Sequence, residues 1–331
     1  MSTSMPSLTR RRMLTIIAAT GAASLLPWTG RAATAYEATE WRGYALGADA
    51  RLLLHGRSRA DAERAIAVSM AEIERLENEF SLYRANSSLC RLNRDGMLPR
   101  PSADMTALLR LGCRFGDLSH GAFDISVQPL WQLYAAHFAL PNADPAGPSE
   151  DKIKETLARV DYRRIRIDDD AIRLAPGMAL TLNGIAQGYI TDRVADILRD
   201  QGWSHILVDL GETRALDSHP SGRPWRIGLK GGPSAAVAPT LDIADRAVAT
   251  SARRGFIFDA AGRHCHLLDP ASGHAAQGFA SVTVVARRAA DADALSTALS
   301  IMPPAQAASL AQRLKDSEIW VGVDNGSIAH L

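Results

Sequence analysis

Cysteine is scarce. The 331 residues include three, Cys90, Cys113 and Cys265, far apart and without a C-x-x-C pair. That excludes a zinc ribbon or a redox dithiol and leaves room for at most one disulfide. An excess of either charge is also lacking. The formal charge is +1, and it is unevenly placed. Residues 1–35 carry Arg10, Arg11, Arg12 and Arg31 and no acid, so the remainder holds 33 of the 37 basic residues against 36 acidic ones. A near-neutral body argues against a nucleic-acid partner. No internal repeat is present, and the Gly-containing turn at residues 183–188 matches neither a dinucleotide fingerprint nor a P-loop. With 47% apolar and 22% charged residues, the chain is not disordered, collagen-like or a multi-span membrane protein. It is long enough for one large domain or two smaller ones.

The N-terminus reads as an address. Thr9-Arg10-Arg11-Arg12-Met13-Leu14 precedes a charge-free stretch to Gly30, and Ala33-Thr34-Ala35 offers a small-x-small cleavage site. The stretch is weakly apolar, short of the about 20 strongly apolar residues of a membrane span. The order of basic, apolar and small residues is that of a bacterial export signal of the twin-arginine type. The expected organisation is a leader at 1–35 and one domain at 36–331, with periplasmic location. An uncleaved leader acting as a membrane anchor is the alternative.

Apolar spacing predicts a helix over Asp61–Phe80, a weaker one over Met105–Leu118 and another over Tyr189–Gln201. A further helix is expected at Asp291–Ile301. Strands are expected at His205–Leu210, Trp225–Leu229 and Ser281–Ala286. Ile165–Ile167 and Ile172–Leu174 alternate around three aspartates as a hairpin, and Asn325-Gly326 marks a terminal one. Residues 142–149 read as a loop. Helices and strands do not alternate regularly, so the expected class is α+β with largely antiparallel sheets.

Several segments have the residues for chemistry, each with a plain structural reading beside it. Residues 183–188 lead into a helix N-terminus, which favours phosphate, or form a tight strand-to-helix turn. Asp293 and Thr297, four apart, share a helix face and supply hard oxygens for Mg²⁺, or cap the helix. His264 and His266 share a face if the segment is a regular strand, and a histidine there can act as a base. Zinc held by these two with Cys265 is disfavoured, since Cys265 would face the other side. Tyr83 and Arg84 follow a helix and can stack on a ring and pair with phosphate, or be ordinary surface.

Taken in order, FSLYRANSSLCRLN, GAFDISVQPLW, TLNGIAQGYITDRVADIL, LVDLGETRAL, AVATSA, HLLDPASG and DADALSTAL closely resemble the ApbE family of flavin transferases. These move FMN from FAD onto a Ser or Thr of a target protein. The leader, TLNGIAQGY and the VQPLW segment look most like the NosX-type branch, which serves nitrous-oxide respiration with the membrane protein NosR as its target. The resemblance implies an ApbE-like α+β fold and a Mg²⁺ held by Gly184, Asp293, the Ser296 backbone and Thr297. It implies FAD contacts at Leu46, Tyr83, Ala122, Phe123, Asp124, Thr181, Gln187 and His266, with His266 as the base. It further implies an acceptor protein, NosR-like in this branch, and membrane contact only through that acceptor or an uncleaved leader. Two departures stand out: Thr181 replaces a usual Asp, and Gln187 a usual Lys or Glu. The turn after LVDL is also shortened to Gly211-Glu212. The same site with water as the attacking group would be an FAD pyrophosphatase. A periplasmic flavin carrier or assembly factor is the non-enzymatic alternative.

Overall fold

The computed structural model describes residues 38–229 and 239–331. The expected leader at 1–35 lies outside them. The chain opens with a hairpin, β1 (Thr39–Ala45) and β2 (Ala48–Leu54). Helices α1 (Arg59–Phe80), α2 (Ser88–Asp95), α3 (Ala103–Leu118), α4 (Gln128–Phe138) and α5 (Glu150–Leu157) follow, with β3 (Met97–Pro99) inserted after α2. Strands β4 (Arg166–Ile167) and β5 (Ala171–Arg173) form the expected small hairpin and pair with β3. Helix α6 (Ala186–Asp200) leads to β6 (Ile206–Asp209), β7 (Thr213–Leu216), β8 (Trp225–Gly228), β9 (Thr240–Ile243) and β10 (Ala247–Ala252). The chain ends with β11 (Ser281–Ala286), α7 (Ala289–Ile301), α8 (Pro304–Ala311), β12 (Glu318–Gly322) and β13 (Ile328–His330).

Eight strands make one sheet in the order β1-β2-β6-β7-β10-β11-β12-β13, and every pairing is antiparallel. Residue alternation along its strands sorts two cores. Leu52, Leu54, Ile206, Val208, Ala249, Val282 and Val284 face the helices and join the main core. Leu53, Leu207, Ala215, Val248 and Val285 face the opposite way and are covered by Trp225, Leu229, Leu241 and Ile243 of the β8–β9 hairpin segment. This is the expected α+β class with antiparallel sheets. No helix among the described residues is long and apolar enough to cross a membrane.

The expected elements are present, with ends moved by a few residues. Helix α1 starts at Arg59 because Ser58 caps it, accepting from the Asp61 amide at 3.2 Å. Helix α6 starts three residues before Tyr189, inside the turn segment. Helix α7 is buried on nearly all sides, as its alanine-rich sequence requires, and lies between α6 and the sheet. The HLLDP segment differs from expectation. His264–His266 forms no named strand, only a single bridge from Cys265 to Ile257. Its two histidines part company. The His264 ring packs on Phe138 and Tyr134, at 5.1 and 5.7 Å between centroids, while His266 turns inward beneath Gly255. All three cysteines are free.

Candidate active site

A cleft of 1250 Å³ opens where α1, α6, α7 and the sheet converge. Leu46, Tyr83, Ala122, Phe123, Asp124, Thr181, Gly184, Gln187, His266, Asp293 and Thr297 all line it. Segments as far apart in sequence as Leu46 and Thr297 are thus gathered at one surface. Ser296 does not line it. It sits one layer deeper, its hydroxyl within 2.8 Å of Ser251 Oγ and donating to the Asp293 carbonyl at 3.0 Å.

On one wall, Leu46 occupies the two-residue turn of β1–β2 with φ +55°, a left-handed conformation uncommon for a leucine. The turn is fixed by the Leu46 amide, which donates to Glu77 at 3.0 Å. Glu77 also pairs with Arg84, so α1 orients both the turn and the arginine. Tyr83, 55% exposed, stands at the mouth of the cleft. Phe123 is buried against Phe115 and the Gly184 turn. Both Asp124 oxygens are taken: one by the Ser126 amide and hydroxyl, each at 2.7 Å, the other by the Tyr162 amide at 3.2 Å. Asp124 therefore shapes its loop and presents no free carboxylate.

The two departures have structural counterparts. The Thr181 hydroxyl accepts from the Asn183 amide at 3.3 Å, closing the turn on itself. Gln187 donates to the Leu210 carbonyl at 2.6 Å and lies across Gly211, whose φ of +100° and lack of a side chain make room for it. The neutral amide and the shortened turn fit each other.

The opposite wall is acidic and buried. Asp293, 5% exposed, accepts the Gly188 amide of α6 at 3.1 Å through Oδ2. Its Oδ1 takes no hydrogen bond among the described residues. Burial pushes its carboxyl up to about 7, the Gly188 amide pulling the other way. Glu212 lies close by. Burial first, then Asp293 and Asp209, hold its carboxyl well above the carboxylate range. The capping reading of Asp293 on its own helix is corrected: α7 begins at Ala289, and Asp293 caps α6 instead. The Gly188 amide is thereby occupied, so it is not available to phosphate as the turn reading supposed. Thr297, one turn on, lies 3.2 Å from Ser251 Oγ, and a Cβ on Gly184 would stand 3.0 Å from its Oγ1.

This donor set fits a hard divalent cation. Asp293 Oδ1 is free, Thr297 Oγ1 and the Gly184 backbone are adjacent, and an uncompensated pair of buried carboxylates favours positive charge. Among the described residues no cluster of three His, Cys, Asp or Glu side chains holds a metal alone. A cation here needs further oxygens, as Mg²⁺ does when it shares phosphates with a substrate.

His266 lines the same cleft. Its Nδ1 is 3.0 Å from the Phe256 carbonyl, which can only accept, so Nδ1 carries the proton and Nε2 the lone pair. Burial lowers its pKa from the ordinary 6.5, so the ring is neutral at pH 7. Phe256 stacks on Trp131 at 6.0 Å and stands edge-on to Phe258 at 5.1 Å, fixing the carbonyl that orients the histidine. Sequence reasoning missed Glu77, Trp131, Glu212 and Ser251. The LVDLGE and AVATSA segments marked the last two without assigning them a task.

Comparison with known proteins gives a concordant result. The model of the ApbE family matches residues 46–321. An FAD:protein FMN transferase from Vibrio cholerae is 30% identical over 241 residues, covering 70% of this chain and 71% of that protein. One from Klebsiella pneumoniae is 27% identical over 293 residues, covering 84% and 83%. The crystal structure of the ApbE protein of Thermotoga maritima superposes with a TM-score of 0.78 at 26% identity, over 89% of this chain and 97% of that one.

Proposed function

The chain belongs to the ApbE family, and from that premise we propose that it transfers FMN from FAD to a Ser or Thr hydroxyl of an acceptor protein, with Mg²⁺ as cofactor. The observation that carries this reading is the presence, in one cleft, of a neutral His266 and the free oxygen of Asp293.

Gly184, Asp293 and Thr297 are the groups to hold Mg²⁺, which when bound would neutralise the FAD pyrophosphate and orient it; the Ser296 backbone, expected with them, lies outside the cleft with its carbonyl taken by the Ser300 hydroxyl at 2.7 Å. The protein's own part is positioning and proton transfer. Tyr83 and the Phe123 loop offer an aromatic rim and an apolar ledge for the flavin. Neutral Thr181 and Gln187 leave the acidic wall as the local charge, so cation binding is not opposed by a lysine at position 187. His266 Nε2 accepts the acceptor's hydroxyl proton. The hydroxyl oxygen forms a bond to the FMN-side phosphorus, the phosphoanhydride bond breaks, and AMP leaves with its electron pair.

The acceptor is a NosR-like membrane protein of nitrous-oxide respiration, and the branch is NosX-type; the leader and the TLNGIAQGY and VQPLW segments support both. Location in the periplasm rests on Arg10, Arg11 and Arg12, so changing all three to Lys traps the protein inside the cell, as fractionation of the producing bacterium reads out. Normal periplasmic recovery of that variant contradicts the twin-arginine route. The transfer itself is tested by mixing the mature protein with FAD, Mg²⁺ and a NosR-like acceptor. Flavin fluorescence that stays on the acceptor band in a denaturing gel, and vanishes on chelation, is the expected result. No covalent flavin under any metal overturns the reading.

A further inference from the structure

Helices α6 and α7 each lack a side-chain cap of their own, since their N-terminal flanking residues are Ile185 and Arg288. Each is capped by the other. Asp293 of α7 accepts the Gly188 amide in the first turn of α6. In return Asp192 of α6 accepts the two first amides of α7, Ala289 to Oδ1 at 2.9 Å and Ala290 to Oδ2 at 3.0 Å. Asp192 is 1% exposed, and Arg288 Nε lies 3.3 Å from its Oδ2. The helices meet closely enough that a Cβ at Gly188 would fall on the Ala289 carbonyl.

Four otherwise unsatisfied amides open every helix, and a carboxylate there opposes the positive end of the helix dipole. Asp192 therefore fixes where α7 begins and how it is rotated. Rotation is what aims Asp293 Oδ1 and Thr297 Oγ1, one and two turns further along, into the cleft. We infer that Asp192 is a positioning residue for the cation site, acting through the start of α7 while touching neither cation nor FAD. The inference rests on the proposed Mg²⁺ site and adds a buried residue outside it.

The test uses the mature protein and its Asp192→Asn and Asp192→Ala variants. Mg²⁺ is titrated by calorimetry in the presence of FAD, and thermal melting and transfer rate are recorded alongside. Removing a group that orients a metal ligand typically costs about 10- to 100-fold in metal affinity. That loss is expected for Asp192→Ala. Asp192→Asn is expected to fall between, because its amide oxygen can accept only one of the two N–H groups. In both, the maximal rate returns to within a few fold when Mg²⁺ is raised, and FAD affinity without metal is unchanged. Should Asp192→Ala fail to fold, the Asn variant carries the test. A variant that melts earlier but keeps wild-type Mg²⁺ affinity overturns the inference and leaves Asp192 a packing residue. Wild-type protein without Asp293-dependent Mg²⁺ binding overturns the cation reading itself, and this inference with it.

Discussion

The two walls of the cleft are built by different means. The acidic wall rides on two regular helices, locked by buried carboxylate–amide contacts and close backbone packing at Gly188. The histidine wall is irregular. Between Arg253 and Ala280 there is no named strand, and the segment is held by turn bonds such as Gly273 N to Asp269 O at 2.7 Å and by stacked aromatic rings. Polar contacts in a low-dielectric interior are costly to break one at a time. Aromatic packing yields more gradually. The contrast teaches that the acidic wall tolerates almost no change, whereas the other can lose its base and keep its shape.

The largest effect is expected at Asp293. Asp293→Ala removes the one charged ligand proposed for Mg²⁺, and transfer is expected to fall by about 10³-fold or more, since a bound metal supplies several kcal/mol of charge stabilisation. Wild-type transfer at equal Mg²⁺ would contradict the assignment. Next is His266. Loss of a general base costs at least about 10²-fold in rate, so His266→Ala slows transfer while FAD titration stays within a few fold. His264→Ala is the control. It loses ring contacts worth about 0.5–1.5 kcal/mol each, so it melts earlier at near-normal rate. If the two variants behave alike, the walls do not differ as described.

Smaller effects sharpen the comparison. Gly188→Ala forces α6 away from α7 and destabilises by about 1–3 kcal/mol, with Mg²⁺ affinity reduced as well; a thermal melt and a metal titration check both. The acidic wall also has a pH signature. The Asp293 carboxyl is raised in the fold to about 7 from 3.8, so the folded state holds the proton more tightly than the unfolded chain. Its contribution is present below pH 3.8 and is lost as pH rises towards 7. Relative to an Asp293→Asn variant, metal-free protein therefore loses melting temperature across that window, Glu212 acting in the same direction, and Mg²⁺ abolishes the loss near neutrality. Equal melting curves with and without Mg²⁺ at pH 7 contradict the cation reading.

How much was legible in the sequence follows the same division. Ser281–Ala286 could be read to the residue, because a short β-branched run and burial coincide there, and α7 could be read only as an alanine-rich stretch, since a helix buried on nearly all sides has no polar stripe. The partner of Asp293 could not. An amide 105 positions away is a tertiary contact, and local spacing offered only a shared Mg²⁺ or self-capping. On a regular strand His264 and His266 would share a face, yet Phe138 and Tyr134 hold one ring and the Phe256 carbonyl holds the other. Gathering the site was the work of ordered motifs. Glu212 and Ser251 were missed because each is an ordinary polar residue until the fold buries it beside Asp293 and Thr297.

In the proposed transfer both walls serve one reaction, so the most direct measurement counts both products of it. Mature protein, FAD, Mg²⁺ and acceptor are incubated, and released AMP and acceptor-bound flavin are quantified in the same sample. One AMP for each covalently bound flavin is the predicted result, with neither formed when Asp293 is replaced by Ala. AMP far in excess of bound flavin would reveal a pyrophosphatase, and flavin retained by the protein with no AMP a carrier; either contradicts the account.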